Sequence, residues 1–160
     1  MTALAEFNVW HDPEAAQCVI EASSLITMYS LDAFSRLSVR RTDADRFRDG
    51  DHPAIRLAGE LLYRRRARSE EVNRDYVGLL GDAGAMVLLT NPELFVTRTF
   101  PVRVNLHGMG RGQTIVDQRA APGEPAGHDP DPWPRIGVVV DLDVAQAATT
   151  FVNAIEAYDS

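Results

Sequence analysis

Glu6, Asn8 and Asp12 stand close together near the start of the chain, in Ala5-Glu-Phe-Asn-Val-Trp-His-Asp-Pro-Glu-Ala-Ala16. Asp12 has a local explanation. Followed by Pro13 and Glu14, it predicts a helix start: the Asp side chain accepts orphan backbone N–H groups, Pro fits the first helical position, and an early Glu complements the dipole. Glu6 and Asn8 have no such explanation. They alternate with Phe7 and Val9, as polar groups do along one side of a short extended segment leading into a helix.

A second candidate is Asp82, which stands before the apolar stretch Ala83–Leu89. An Asp there reads as a helix cap. It reads equally as a carboxylate at the C-terminal edge of a parallel sheet, where α/β proteins bind ligands. Other constellations are weaker. Gly108, Gly110 and Gly112 lie between two strand-like runs with no helix after them, so a hairpin turn is a better account than a phosphate nest. Gly78, Gly81 and Gly84 match neither a dinucleotide fingerprint nor a P-loop. His11, His52, His107 and His128 show no metal-ligand spacing. His-Asp-Pro occurs at residues 11–13 and 128–130, where turn and cap chemistry explains it without a shared metal. There is no Gly-x-Ser-x-Gly nucleophile motif.

The elements that must position these residues read as a mixed α/β domain. Helices are predicted for Pro13 to about Ala22, briefly for Ala33–Leu37 after an Asp32 cap, from Pro53 with Ile55, Ala58 and Leu62 on one face, and from Val144 to about Tyr158 after an Asp143 cap. Strands are predicted for Leu25–Leu31, Phe100–Leu106, Gln113–Gln118 and Ile136–Leu142. Thr90-Asn-Pro-Glu-Leu-Phe95 repeats the cap-then-proline pattern of Asp12-Pro13. Arg40–Gly50 is charged and ends in a turn signal, and Ala121–Pro134 reads as a loop. Arg64, Arg65, Arg66 and Arg68, with Glu70 and Glu71 beside them, read as a solvated helix face.

The length, 160 residues, suits one domain with a real core. A net charge of −7 argues against a general nucleic-acid or anionic-membrane binder. The single cysteine, Cys18, excludes an internal disulfide and a cysteine-only zinc site, and its apolar neighbours predict burial. No apolar run is long enough for a transmembrane helix, and Glu6 stands where a signal peptide would be apolar or basic. The expected location is the cytoplasm.

Together these segments resemble the inosine–uridine preferring nucleoside hydrolase family, specifically its C-terminal half. Ala5–Ala16 is similar to the family's ribose-binding segment almost residue for residue. Leu25-Ile-Thr-Met-Tyr-Ser-Leu-Asp32 is similar to its next strand. Gly81-Asp-Ala-Gly-Ala-Met-Val-Leu-Leu-Thr-Asn-Pro-Glu-Leu-Phe95 looks like its second site segment. Arg111-Gly-Gln-Thr-Ile-Val-Asp117 and the closing strand–helix pair also fit.

The resemblance implies the C-terminal half of an open, Rossmann-like sheet with flanking helices and a β-hairpin, spanning residues 1–160. It implies an N-glycosidase that splits a ribonucleoside into base and ribose. Glu6 and Asn8 would hydrogen-bond ribose hydroxyls, and Asp82 would ligate calcium and touch the ribose diol.

Two departures limit what the chain is expected to do alone. The family's Asp-x-Asp-x-x-x-Asp-Asp motif is not in this sequence, and with it goes the water-activating Asp. Gly81 stands where many purine-cleaving members carry a histidine proposed as general acid. No catalytic residue is therefore assigned, and the isolated chain is expected to be inactive. The expected partners are a ribonucleoside and either further copies of the chain or a complementing N-terminal half. The alternatives are a non-catalytic remnant and a ribose- or nucleoside-binding module.

Overall fold

The computed structural model describes residues 2–64, 76–119 and 133–159. In chain order the elements are α1 (Phe7–His11), α2 (Pro13–Ala22), β1 (Thr27–Met28), α3 (Leu31–Phe34), β2 (Ser38–Arg40), α4 (Arg41–Arg48) and α5 (Pro53–Arg64). There follow β3 (Tyr76–Leu79), α6 (Asp82–Thr90), β4 (Phe95–Val104), β5 (Thr114–Val116), β6 (Arg135–Leu142) and α7 (Val144–Glu156). Strands and helices mix, as an α/β fold requires. The chain forms two compact units, Met1–Met28 with Thr97–Val139 and Tyr29–Val96 with Val140–Ser160.

A four-stranded sheet has the order β1-β6-β4-β5. β1 runs parallel to β6, with Thr27 opposite Gly137, and β4 pairs antiparallel with β5, with Val102 opposite Val116. In the first unit Ile20 of α2 packs with Val102, Val104, Ile136 and Val138, and Val9, Ala16 and Phe100 close over them. Burying each such side chain contributes about 1.5–3 kcal/mol relative to leaving it exposed. Helix α2 is also tied to the sheet by a polar bond. The buried Gln17 accepts the Val104 N–H through Oε1 at 2.7 Å, while its Nε2 donates to Glu21 at 2.6 Å.

In the second unit β2 and β3 form a separate antiparallel pair. Helix α4 packs on α5, and α7 lies against α6 and β2. Leu37, Val39, Ala44 and Phe47 are essentially inaccessible, and Ile55 and Leu62 of α5 are also buried. The cap expected at Asp143 is present, its carboxylate accepting the Gln146 N–H at 3.0 Å, and α7 runs to Glu156 before a 3₁₀ turn at Ala157–Asp159.

Several local expectations are corrected. Cys18 is exposed, because Pro13, Gln17 and Ile20 form the buried stripe of α2 and the helical period turns position 18 away from it. The strand expected over Leu25–Leu31 is reduced to Thr27–Met28. Leu25 is 94% exposed, in a turn where its N–H donates to Ser23 Oγ at 3.0 Å, and Leu31 already begins α3. Ser30, not Asp32, occupies the N-cap position of α3. The charged stretch after Arg40 is a helix, with Ala44 and Phe47 buried on one face. Pro92–Leu94 is a single 3₁₀ turn, and Asn91 makes no side-chain cap bond there. Residues Arg65 to Glu71, the second His-Asp-Pro and most of Ala121–Pro134 lie outside the described residues. No helix among the described residues is long and apolar enough to cross a membrane.

Candidate functional site

Glu6 and Asn8 are brought together, but not by an extended segment. Phe7–His11 is a single helical turn, and Glu6 is its N-cap, with extended backbone at φ −67°, ψ 148°. That geometry folds the Glu6 carboxylate back over the turn. Its Oε2 accepts the Asn8 N–H at 2.7 Å and the Val9 N–H at 3.1 Å, and Asn8 Nδ2 donates to Oε1 at 3.4 Å. The alternation read from the sequence therefore misjudged the backbone, although the two residues it grouped are hydrogen-bonded to each other. The next residues behave as expected: Asp12 caps α2, accepting the Ala15 N–H at 2.9 Å, with Pro13 in the first turn.

A carboxylate has about four lone-pair positions, of which these three donors occupy three. One acceptor position remains on Glu6, and the Asn8 amide retains its carbonyl and one N–H. Each hydroxyl of a sugar both donates and accepts, so a fixed acceptor beside an amide suits a polyol. Glu6 is half-buried and Asn8 is exposed, so the pair is held from one side and open on the other.

Glycine conformation settles the reading of the loop between β4 and β5. Gly108 and Gly112 have φ of +63° and +86°, and the Gly112 N–H donates to Asn105 O at 2.7 Å. This is a hairpin turn, as its sequence suggested. Arg111 leaves it to form two bonds with Glu14, at 2.6 and 2.7 Å. The guanidinium holds the Glu14 carboxyl down at about 2.

Asp82 belongs to the second unit. It is the first residue of α6 and is exposed, and Gly81, not Asp82, occupies the N-cap position. No side-chain cap bond is made there. The cap reading of Asp82 is thereby removed. So is the parallel-sheet edge, since the preceding strand β3 pairs antiparallel with β2. The turn carrying Asp82 is held on both sides. Leu80 N donates to Leu37 O at 2.9 Å, and the Tyr29 hydroxyl donates to Leu80 O at 3.1 Å. The hydroxyl end of Tyr29 also lies against Gly84, where a Cβ would stand 2.4 Å from its Oη. Burial pushes the Tyr29 hydroxyl up to about 12.

Tyr29, Gly84 and the Arg111–Glu14 pair were not picked out by sequence as supports of the site. Position 84 carried the only local signal, a glycine inside an apolar helix, which marks a close approach by something else. Metal chemistry is thinly provided. Among the described residues no three His, Cys, Asp or Glu side chains gather into a metal-binding group. A calcium ion takes about six to eight oxygens, and Asp82 offers two. The described residues do not by themselves fit a calcium site.

A family model described as inosine–uridine preferring nucleoside hydrolase matches residues 1–149. The pyrimidine-specific ribonucleoside hydrolase RihA of Salmonella newport (strain SL254) is 31% identical over 144 residues, covering 89% of this chain and 44% of the relative. RihA of Escherichia coli O9:H4 (strain HS) is 32% identical over 144 residues with the same coverage, 89% and 44%. Among solved structures, the plant nucleoside hydrolase PpNRh1 superposes with a TM-score of 0.79 at 20% identity, covering 95% of this chain and 48% of that one. A purine-preferring ribonucleoside hydrolase from Gardnerella vaginalis gives a TM-score of 0.78 at 22% identity, over 97% of this chain and 47% of that one. The chain thus spans about half the length of the relatives it matches.

Proposed function

The chain belongs to the inosine–uridine preferring nucleoside hydrolase family, and on that premise we propose that residues 1–160 are the ribose-holding, C-terminal portion of a ribonucleoside N-ribohydrolase domain. The reaction is nucleoside plus water to free base plus ribose, a step suited to nucleoside catabolism and base salvage in the cytoplasm. The observation that carries the proposal is the Glu6–Asn8 pair, locked into one turn by three hydrogen bonds and open to solvent at the amide.

Cleavage of a glycosidic bond passes through an oxocarbenium-like transition state, and hydrogen bonds to sugar hydroxyls strengthen as it forms. Glu6 and Asn8 would hold the ring in one orientation. Their order in advance of binding means that little is lost in arranging them. Asp82 is assigned to one metal position, with calcium as the proposed ion, but two carboxylate oxygens leave that shell incomplete. Gly81 offers the departing base no proton. The chain by itself is therefore a holder of ribose without turnover, and turnover would require a complementing half.

Base release from a purine and a pyrimidine ribonucleoside, with and without added calcium, tests this. The expected result is no release by the chain alone, together with saturable ribose binding. Robust turnover would overturn the claim of inactivity, and absent ribose binding would overturn the role of Glu6 and Asn8. Gly81 favours a second reading, a non-catalytic remnant. Turnover restored by a separately supplied N-terminal half would exclude it.

A further inference from the structure

Helix α1 is one turn of five residues with no buried side chain. An isolated turn of that length does not hold itself, because nucleation fixes several dihedrals for each hydrogen bond formed. Something else must keep Glu6 and Asn8 in place, and the contacts around α1 point to the hairpin loop between β4 and β5.

Those contacts bracket the pair. On its N-terminal side Thr2 Oγ1 donates to the Arg111 carbonyl at 3.0 Å. On its C-terminal side the Arg111 guanidinium grips Glu14 with two bonds, at 2.6 and 2.7 Å. A further bond from Arg111 Nη1 to Leu106 O, at 2.8 Å, anchors the same guanidinium to its own loop. Between these points the backbone of Gly112 lies directly under α1. A Cβ at Gly112 would stand 2.9 Å from Ala5 Cβ and 3.1 Å from Trp10 Cα, and its φ of +86° is one that a side chain strains.

We infer that Arg111 is a positioning residue for the Glu6–Asn8 pair, and that Arg111 and Gly112 together clamp α1 from the hairpin loop. The inference rests on the reading of Glu6 and Asn8 as ribose-binding residues for its consequence in ligand affinity, but not for the clamp itself. A planar guanidinium is needed because it bonds both Glu14 oxygens and a carbonyl at once. A lysine ammonium would keep the charge and lose the fork.

The test compares the 160-residue chain with Arg111→Met, Arg111→Lys and Gly112→Ala. Three readouts are taken: hydrogen exchange at the Asn8 and Val9 amides, the urea midpoint, and ribose affinity by calorimetry. Arg111→Met should raise exchange at Asn8 and Val9 about three- to tenfold, with the Val104 and Val138 amides unchanged. Ribose affinity should fall by a similar factor while the urea midpoint barely moves, and Arg111→Lys should recover part of the loss. Gly112→Ala should loosen the same two amides. Wild-type exchange at Asn8 and Val9 in both Arg111→Met and Gly112→Ala overturns the clamp. If the wild-type chain takes up no ribose, the ribose reading fails on its own, and the exchange ratios still decide the role of Arg111.

Discussion

Replacing Gly84 by alanine pits two opposite effects against each other within one helix. Alanine is favoured over glycine in a helix interior by about 1 kcal/mol. Against this, the new Cβ would stand 2.4 Å from Tyr29 Oη, 2.9 Å from Cζ and 3.1 Å from Cε1. The ring cannot yield without leaving the bond to Leu80 O at 3.1 Å and the edge-on contact with Phe95. Overpacking of this kind costs about 1–3 kcal/mol, and the lost hydrogen bond about 0.5–1.5 kcal/mol. Gly84→Ala should therefore destabilise the chain by a net 0.5–3.5 kcal/mol or so. In a Tyr29→Leu background the obstacle is gone, and the same change should stabilise by up to about 1 kcal/mol. The sign reverses. Urea denaturation of the four members of this cycle, with unchanged slopes, measures the coupling. A Gly84→Ala effect of the same sign and size in both backgrounds would refute the packing of Tyr29 on α6. With it would go the support given to the turn carrying Asp82.

Acid should selectively remove the contribution of the Arg111–Glu14 pair. Glu14 is held at about 2 in the fold against an ordinary 4.5. Its contribution is thus fully present above pH 4.5 and is lost as pH falls toward 2. The Glu14 carboxyl should titrate near 2 in wild type and move up toward 4.5 in Arg111→Met, and the same titration in both proteins would contradict the pairing. Gln17→Leu should cost about 1–3 kcal/mol by leaving the Val104 N–H without its partner inside the core. Thermal denaturation checks this, and a neutral result would mean that the strand end finds another acceptor.

What sequence could and could not show divides along the distance over which each feature is encoded. Asp12-Pro13 and Asp143 announce helix starts through their own side chains, and both make the expected bonds. The hairpin was legible because positive φ at Gly108 and Gly112 is a local demand. Glu6 was misjudged in conformation because a glutamate N-cap is not among the strongly preferred caps, and two-residue alternation resembles a strand. In α4 a run of charges hid Ala44 and Phe47, which alone face the core.

Nothing local links Tyr29 to Gly84, or Arg111 to Glu14, across more than fifty and more than ninety residues of chain. Such supports come from tertiary packing, so they emerge only once the fold is known. The family resemblance rested on Ala5–Ala16 together with Leu25–Asp32, Gly81–Phe95, Arg111–Asp117 and the closing strand–helix pair. It singled out the candidate pair, and the structure supplied the hydrogen bonds that join the two residues.

The most direct test of the central claim is a calorimetric titration of ribose into the wild-type chain, Glu6→Gln and Asn8→Ala. Wild type should bind ribose saturably. Each variant should weaken binding by about tenfold or more, since each removes a hydrogen-bonding group placed for the sugar, worth roughly 1.5–3 kcal/mol where a charged group takes part. Binding of equal strength in all three proteins, or none in the wild type, would contradict the ribose-binding role of Glu6 and Asn8.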